Sequence, residues 1–563
     1  MRQFPKLIKS EPVLAPSQLA FRIGLARKRT ASYPLHKLDF ILMDLERPEC
    51  SHRHADWCAG DLTGRVLEFL SAAEGVDGVS DPRLLELFER IIRTRRPSGL
   101  LGRLAPAANT SDLPETSLIS GAHRLFNGLI KYFELTNDWR GLESAVGLGD
   151  WYVAHKDAWL KQYGHWDGCG IEFWITEPLA GLYRLTGEEK YLAMVEAVGG
   201  RIKKIEGMHS HGFMTTMRGL QLAALYSGDA AWNERPEFFR RKIIDERYER
   251  PDGCVAECFP RSFRNEGCSI ADWMMLNLNS ALISGEAEGY AKAENILWNA
   301  LFFNQFITGG FGHRDLADWG YQMGPMSECW WCCLENCGLG MTEYARHAVS
   351  LRDDTVWVNL LVPGTFRLKS QDRPQIEVTV STGYPAVGEA FVRVRNLPGT
   401  MAVKLRVPEC IRNAKVTETR GANGTELRLK GDVGHWLEPY GDRVLLRYGP
   451  VVLAPMFYYW NTENKTIESN VPAGYIPGFL PAGIPRIVPP KTDAKGFLQL
   501  AREPIPDWSY FNTGPDEILC VNGASAHVPL KFDGGQEQTL WFAPMCHITS
   551  DMSYYDTPIL FKS

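Results

Sequence analysis

The sequence predicts a multi-domain α + β chain. An (α/α)6 barrel is expected over residues 1–350, a β-sandwich over 351–455, and a C-terminal β-rich module or extension over 456–563. Three observations lead there. Apolar residues recur at helical spacing in roughly eleven runs before residue 350. Beyond it the period shortens to the alternation of strands. With 563 residues, the chain is too long for one ordinary core, so two or three domains are expected.

Residues 1 to about 50 are mixed and proline-rich, and read as an irregular lead-in, with a first helix near Leu38–Leu45. Helices are then expected at Leu62–Ala73, Pro82–Thr94, Ser120–Leu135, Trp139–His155, Ile171–Leu185, Lys190–Ile205, Phe213–Tyr226, Glu237–Glu249, Ile270–Ser284, Ala287–Phe303 and Leu334–Ser350. A weak repeat runs through them. Leu-Ile-Lys-Tyr-Phe-Glu-Leu-Thr-Asn-Asp (129–138), Leu-Ala-Gly-Leu-Tyr-Arg-Leu-Thr-Gly-Glu (179–188) and Leu-Gln-Leu-Ala-Ala-Leu-Tyr-Ser-Gly-Asp (220–229) each give an apolar helix end followed by a polar turn. Repeated hairpins of this kind close into a toroid whose loops line one central pocket; an open solenoid would show a stricter repeat. After residue 350, strands are expected at Thr355–Leu361, Gln375–Thr382, Ala390–Val394, Ala402–Val407, Glu426–Leu429 and Arg443–Tyr448, then at Glu517–Val521 and His527–Phe532.

Composition excludes several roles. Hydrophobic residues make up 45% and charged residues 23%, as in soluble globular chains. A net charge of −6 gives no support for nucleic acid or an anionic membrane as partner. No run approaches the eighteen apolar residues of a membrane span, and the N-terminus lacks an apolar stretch of signal-peptide length. A cytoplasmic location is therefore expected, with a homodimer left open. Seventeen tryptophans suit either a sugar-binding cleft or a large core.

Chemistry concentrates between Cys254 and Cys337, which hold seven of the thirteen cysteines. Cys268 precedes Ile270, Met274, Leu278 and Leu282 at helical spacing, and Cys333 precedes a second such run. Both sulfur motifs thus sit near helix N-termini, where the macrodipole favours thiolate. Glu266, Cys268, Cys332 and Cys333, from two segments, can close a tetrahedron around a soft divalent ion, with zinc (Zn2+) first. Buried structural cysteines, a disulfide or a purely structural zinc are the competing readings. Other pocket candidates are Asp61, equally a helix cap; His123, equally a core histidine; His211 and His313 in glycine-containing loops; and Trp331, beside Trp330, as stacking platform or core plug.

At Glu266-Gly-Cys268 and Cys332-Cys333-x-x-Asn336 the sequence resembles the β-L-arabinofuranosidase family of glycoside hydrolases. The resemblance extends to Val356–Pro363 and Thr382–Pro385. It implies an (α/α)6 barrel followed by β-sandwich domains, and a zinc ion held by Glu266, Cys268, Cys332 and Cys333. It further implies Cys332 as nucleophile and Glu257 as general acid/base, with Glu328 and Glu335 as the alternatives to Glu257. A carbohydrate substrate and retention of configuration follow. The chain departs from the family pattern at Leu334-Glu335, where two prolines are usual, and at Cys169-Gly-Ile-Glu172, where a histidine motif is expected. Two other classes stay open: a sugar isomerase, epimerase or lyase on the same barrel, and a non-catalytic carbohydrate-binding protein with structural zinc.

Overall fold

Three residues at positive φ set the turns of the helical repeat. Asn137 (φ 59°), Gly187 (φ 74°) and Gly228 (φ 72°) occupy the same place in the three repeated segments, ending one helix in the left-handed conformation that Gly and Asn adopt most readily. In the first and third segments the next residue starts the following helical segment. Asp138 accepts the Arg140 N–H and Asp229 the Ala231 N–H. Gly285 (φ 79°) repeats the device a fourth time.

The computed structural model describes residues 7–50, 58–103, 116–163, 174–322, 327–370, 373–421, 424–455, 458–461, 466–469, 484–488, 490–503, 524–547 and 557–563. Among the described residues, twelve principal helices build the barrel: α1 (Gln18–Thr30), α2 (Asp61–Asp77), α3 (Leu84–Arg93), α4 (Thr116–Thr136), α5 (Trp139–Ala154), α6 (Thr176–Thr186), α7 (Glu189–Gly199), α8 (Ser210–Ser227), α9 (Glu234–Asp245), α10 (Gly267–Ser284), α11 (Ala287–Ile296) and α12 (Cys333–His347). The even-numbered helices form the inner ring. Each packs on the next, and α12 closes on α2. Their sequences explain the two layers. In α10 every residue from Gly267 to Ile283 is buried, as for a helix enclosed on all sides. Outer helix α3 buries only Leu84, Leu87, Phe88 and Ile91, a single stripe.

The first fifty residues depart from the expected irregular lead-in. Leu7–Lys9 (β1) and Glu11–Leu14 (β2) are strands, and α1 begins at Gln18, capped by Ser17 Oγ accepting the Ala20 N–H. Strands of three and four residues carry no readable period. Their partners lie far along the chain, at Val349–Arg352 (β3) for β1 and Gly364–Ser370 (β5) for β2. With Thr355–Val358 (β4), Arg373–Thr382 (β6), Gly388–Arg395 (β7), Ala402–Leu405 (β8), Arg412–Gly421 (β9) and Gly424–Asp432 (β10), these make two sheets in the orders β1-β3-β4-β8 and β9-β10-β7-β6-β5-β2.

A third sheet begins with His435–Tyr440, Arg443–Tyr448 and Val451–Pro455 and is completed by C-terminal strands including Ser525–Lys531 and Glu537–Pro544. It is clamped to the barrel. The run expected as one helix over Ala287–Phe303 breaks into α11, a π-helical turn at Leu297–Leu301 and a last short turn. Asn299, in the wide turn, donates to Pro450 O (3.1 Å) and accepts the Val452 N–H (2.7 Å). Thr557–Pro558 pairs with Gly320–Tyr321, so the chain's last segment returns to the barrel. The expected strand Glu517–Val521 and the motif Cys169–Glu172 lie outside the described residues.

Candidate active site

The inner helices are parallel, and their N-termini gather at one end of the ring. Asp61 opens α2, Thr176 opens α6, and His209, Glu266 and Cys332 stand at the N-caps of α8, α10 and α12. Positive helix ends therefore converge where the acidic and sulfur ligands lie. At this end Glu266, Cys268, Cys332 and Cys333 come together, with one ligand atom from each within 4.8 Å of all the others, and all four side chains buried.

The spacing tests the fit of a metal. Cys268 Sγ and Cys332 Sγ each lie 3.7 Å from Cys333 Sγ. Tetrahedral zinc with Zn–S bonds of about 2.3 Å separates its sulfurs by roughly 3.8 Å. Three thiols and a carboxylate placed so are a donor set that can hold a soft divalent ion. The helices are locked together around it. Asn336 Nδ2 of α12 donates to Cys268 O at 3.2 Å. A Cβ on Gly267 would stand 3.0 Å from Cys337 Sγ and 2.9 Å from Asn304 Oδ1, so the close approach of α10 to α12 requires glycine there.

The four groups differ in charge. Burial drives the Cys268 and Cys333 thiols well up. Hydrogen bonds from Cys268, Cys329 and Cys333, with the Arg65 guanidinium nearby, hold Cys332 well below the usual thiol range. Burial opposes ionisation of Glu266, but His209 outweighs it and keeps the carboxylate low. His209 Nε2 sits 3.1 Å from Glu266 Oε2, and Ser269 Oγ donates to the same oxygen at 3.1 Å. All three cysteines are buried, Cys268 and Cys333 completely and Cys332 with 9% of the residue exposed.

Glu257 lies on the loop before α10. Arg264 Nη2 holds Glu257 Oε1 at 2.7 Å, its Nε binds the other oxygen, and His313 Nε2 stands 3.7 Å from Oε1. Ser210, the first residue of α8, grips the Glu257 carbonyl with both its N–H (2.9 Å) and its hydroxyl (2.7 Å). Isolated bridges Ala256↔Asn265 and Arg264↔Asp315 and the pair Gly312–His313 with Ser327–Glu328 knit this loop to the one bearing Cys332. Of the alternatives, Glu328 is taken by Arg29 (Nη2 to Oε2, 3.3 Å) and Thr308, and Glu335 is buried in the first turn of α12.

The remaining candidates are placed as follows. Asp61 accepts from Arg65 Nε at 2.9 Å, and His123 Nε2 is 3.8 Å from the same carboxylate oxygen. His123 is buried, which with the Arg124 charge pushes its pKa well down. It meets Trp174 edge-on at 4.8 Å. His211 is in the first turn of α8, not in a loop. Its Nδ1 binds Asp272, and its Nε2 lies 3.3 Å from Arg124 Nη2. His313 Nδ1 is 3.1 Å from Cys329 Sγ. Trp331 is half-buried and edge-on to Trp330 at 5.2 Å, while Trp330 packs on Phe40. Sequence reasoning missed His209 and Trp174. The spacing His209-Ser-His211 was the available signal, since two residues at a helix start point different ways. Nothing in the sequence singled out Trp174, which gathers His123, His211, Arg65 and Arg124 around its ring.

Fold and site together define an (α/α)6 barrel joined to β-sandwich sheets, with a Glu/Cys3 metal-competent group at the N-terminal end of its inner ring. No protein-family model matches the sequence, and no curated protein matches it. Solved structures do. A GH127 beta-arabinofuranosidase aligns over 100% of this chain and 98% of its own, with a TM-score of 0.67 at 14% identity. A GH127 beta-L-arabinofuranosidase from Geobacillus stearothermophilus T6 aligns over 98% and 99%, with a TM-score of 0.69 at 14% identity. A structure described as a glycoside hydrolase aligns over 99% and 98%, with a TM-score of 0.67. The chain shares their fold from end to end.

Proposed function

We propose that this protein is a retaining glycoside hydrolase, a divergent relative of the β-L-arabinofuranosidases, acting on β-L-arabinofuranosides or a closely related sugar. The observation that carries the reading is the meeting of Glu266, Cys268, Cys332 and Cys333 at zinc-like spacing, with Glu257 held on an adjoining loop. The end-to-end likeness of fold to two arabinofuranosidases supports it.

Three sulfurs and one carboxylate favour zinc over harder ions. Bound there, zinc would keep a sulfur anionic at neutral pH and moderate its basicity. The chain's own residues would then act in order. Cys332 Sγ attacks the anomeric carbon while the Glu257 carboxyl gives its proton to the leaving oxygen. Glu257 next takes a proton from water, and the water oxygen displaces Cys332, so the sugar leaves with its configuration retained. Arg264, which engages both Glu257 oxygens, must release one of them for either transfer. General acid assistance of this kind is worth roughly 10²–10⁴-fold.

The test is hydrolysis of aryl glycosides, β-L-arabinofuranoside first, by protein of known metal content. Cys332→Ser is expected to abolish turnover, and near-full activity in that variant would end the thiolate mechanism. Glu257→Gln is expected to be rescued best by substrates with good leaving groups; absence of rescue would return the role to Glu328 or Glu335. Saturable sugar binding without release of reducing sugar would make the protein a carbohydrate-binding one.

A further inference from the structure

The end of the inner ring opposite the sulfur cluster holds a cavity of about 730 Å³. All six inner helices reach it near their C-termini, through Gly75 of α2, Lys131 of α4, Arg184 of α6, Tyr226 of α8, Leu282 of α10 and Arg346 of α12. Strand β1 adds Lys9, whose Nζ donates to Asn279 Oδ1 of α10 and to Glu343 Oε2 of α12, each at 3.3 Å. Charge in this cavity does not balance. Glu343 has three cations about it: Lys9 Nζ at 3.3 Å, Lys131 Nζ at 3.4 Å and Arg346 Nε at 4.0 Å. Glu134 binds a fourth, Arg184, and shares Lys131 at 3.5 Å. Burial opposes ionisation of Glu343, but Lys9, Lys131 and Arg346 outweigh it and hold its pKa well down. Both carboxylates are therefore charged, since Lys131 and Arg184 likewise overcome burial and lower Glu134, and they are still outnumbered two to one. Lys369 and Glu11, paired at 2.7 Å, cancel at the exposed rim.

Helix capping does not account for the excess. Basic side chains near a helix C-terminus can donate to its last carbonyls, but among the described residues none of these four cations does so. The helix ends carry only partial negative charge, and its effect falls off within the last turn. Arg346 has the least company of the four. Its Nε is enclosed with no hydrogen-bond partner, and Gly75 makes room for it, since a Cβ there would stand 2.8 Å from Arg346 Nη2. Each of the four cations keeps between 22% and 34% of its side chain uncovered, and all four line the cavity. We propose that this cavity is a binding site for a phosphate dianion, with room beside it for the organic part of a small phosphate monoester. Such a group carries about −1.5 to −2 charge at pH 7, which matches the excess. The Arg346 guanidinium offers a planar fork to two phosphate oxygens, and Lys9 and Lys131 supply point charges. The volume falls within the roughly 300–1,000 Å³ of small-ligand sites, so a sugar-sized group can accompany the phosphate. The site owes nothing to the sulfur cluster at the other end or to the glycosidase reading.

The test is titration calorimetry on the full chain as purified, near neutral pH and at matched ionic strength in chloride. The probes are inorganic phosphate and ribose 5-phosphate. Saturable binding at one site per chain is expected. Tighter binding of the ester identifies an organic phosphate as the ligand, equal binding identifies phosphate itself, and both uphold the site. Arg346→Gln and Lys9→Met, each checked for folding by circular dichroism, should each weaken binding about tenfold or more by removing a charged donor. Lys369→Gln, at the rim, should keep the parental affinity. No saturable binding of either probe overturns the proposal. So does parental affinity in either folded variant, which would put phosphate elsewhere, such as at the helix N-termini of the opposite end. A loss in Lys369→Gln as large as in the other two would mean general charge attraction and overturns it as well. Glycosidase activity enters none of these outcomes, so the site and the proposed function stand or fall separately.

Discussion

The buried charges beneath the site lend themselves to a stability experiment centred on Arg218. This residue is 3% exposed and lies between Glu177 (7%) and Asp272 (0%). Its Nε donates to Glu177 Oε1 at 2.9 Å and its Nη1 binds Asp272 Oδ1. Asp272 also binds His211 and accepts from Asn336 Nδ2 at 3.1 Å. Burial acts against ionisation of Asp272, yet His211 and Arg218 hold its pKa at about 2. Arg218→Met keeps most of the side-chain volume and removes the charge, leaving two enclosed carboxylates short of their cation. Breaking a buried pair from one side costs about 3–5 kcal/mol. Unfolding entropy near 2.1 cal/mol/K per residue gives about 0.7 kcal/mol/K for the roughly 330 residues from Gln18 to His347. The expected drop in Tm is therefore about 4–7 °C by scanning calorimetry. Adding Asp272→Asn to Arg218→Met should recover part of the loss, because it removes one stranded charge. A single variant within about 1 °C of the parent, or a double variant that loses the full sum of both singles, would refute this account of the network.

Other outcomes follow from the same structure. If zinc occupies the group as proposed, Glu266→Gln should lower the zinc retained per chain, measured by elemental analysis after dialysis, because it replaces the one carboxylate of the donor set with a neutral, weaker-binding amide. Gly64→Ala should cost about 1–3 kcal/mol, since its Cβ would overlap the backbone of Arg124 and Leu125 where α2 meets α4. Gly24→Ala in α1, with nothing within 4 Å, should gain about 0.5–1 kcal/mol instead. Burial holds His547 at about 3, below its usual 6.5. The unfolded chain thus takes the proton first, and stability is intact above pH 6.5 and declines as pH falls toward 3. His547→Leu should remove about 1.4 kcal/mol per pH unit from that slope, read from urea midpoints between pH 6 and 4. An unchanged slope would contradict it.

Much of the barrel was legible because its signals are local. The Thr-Asn-Asp, Thr-Gly-Glu and Ser-Gly-Asp turns mark where inner helices end, and apolar spacing marks what lies between. Glu266, Cys268, Cys332 and Cys333 were legible for a related reason: each pair sits within three residues of a helix start. What the sequence hid is set by distance along the chain. Arg218, Glu177 and Asp272 look like ordinary surface charges until the ring closes and encloses them. His209 was passed over for His211 because helical phase at the start of α8 decides which of the two faces Glu266. The strands β1 and β2 are too short to signal themselves.

Those two strands bear on how the protein is made. Leu7 pairs with Arg352, 345 residues later. At about 5–20 residues per second on the ribosome, the nascent chain's leading end waits roughly 20 s to over a minute for its mate to emerge. Until then the toroid has helices but no latch, and a tether fused ahead of residue 7 would pull on the closing seam before the ring itself.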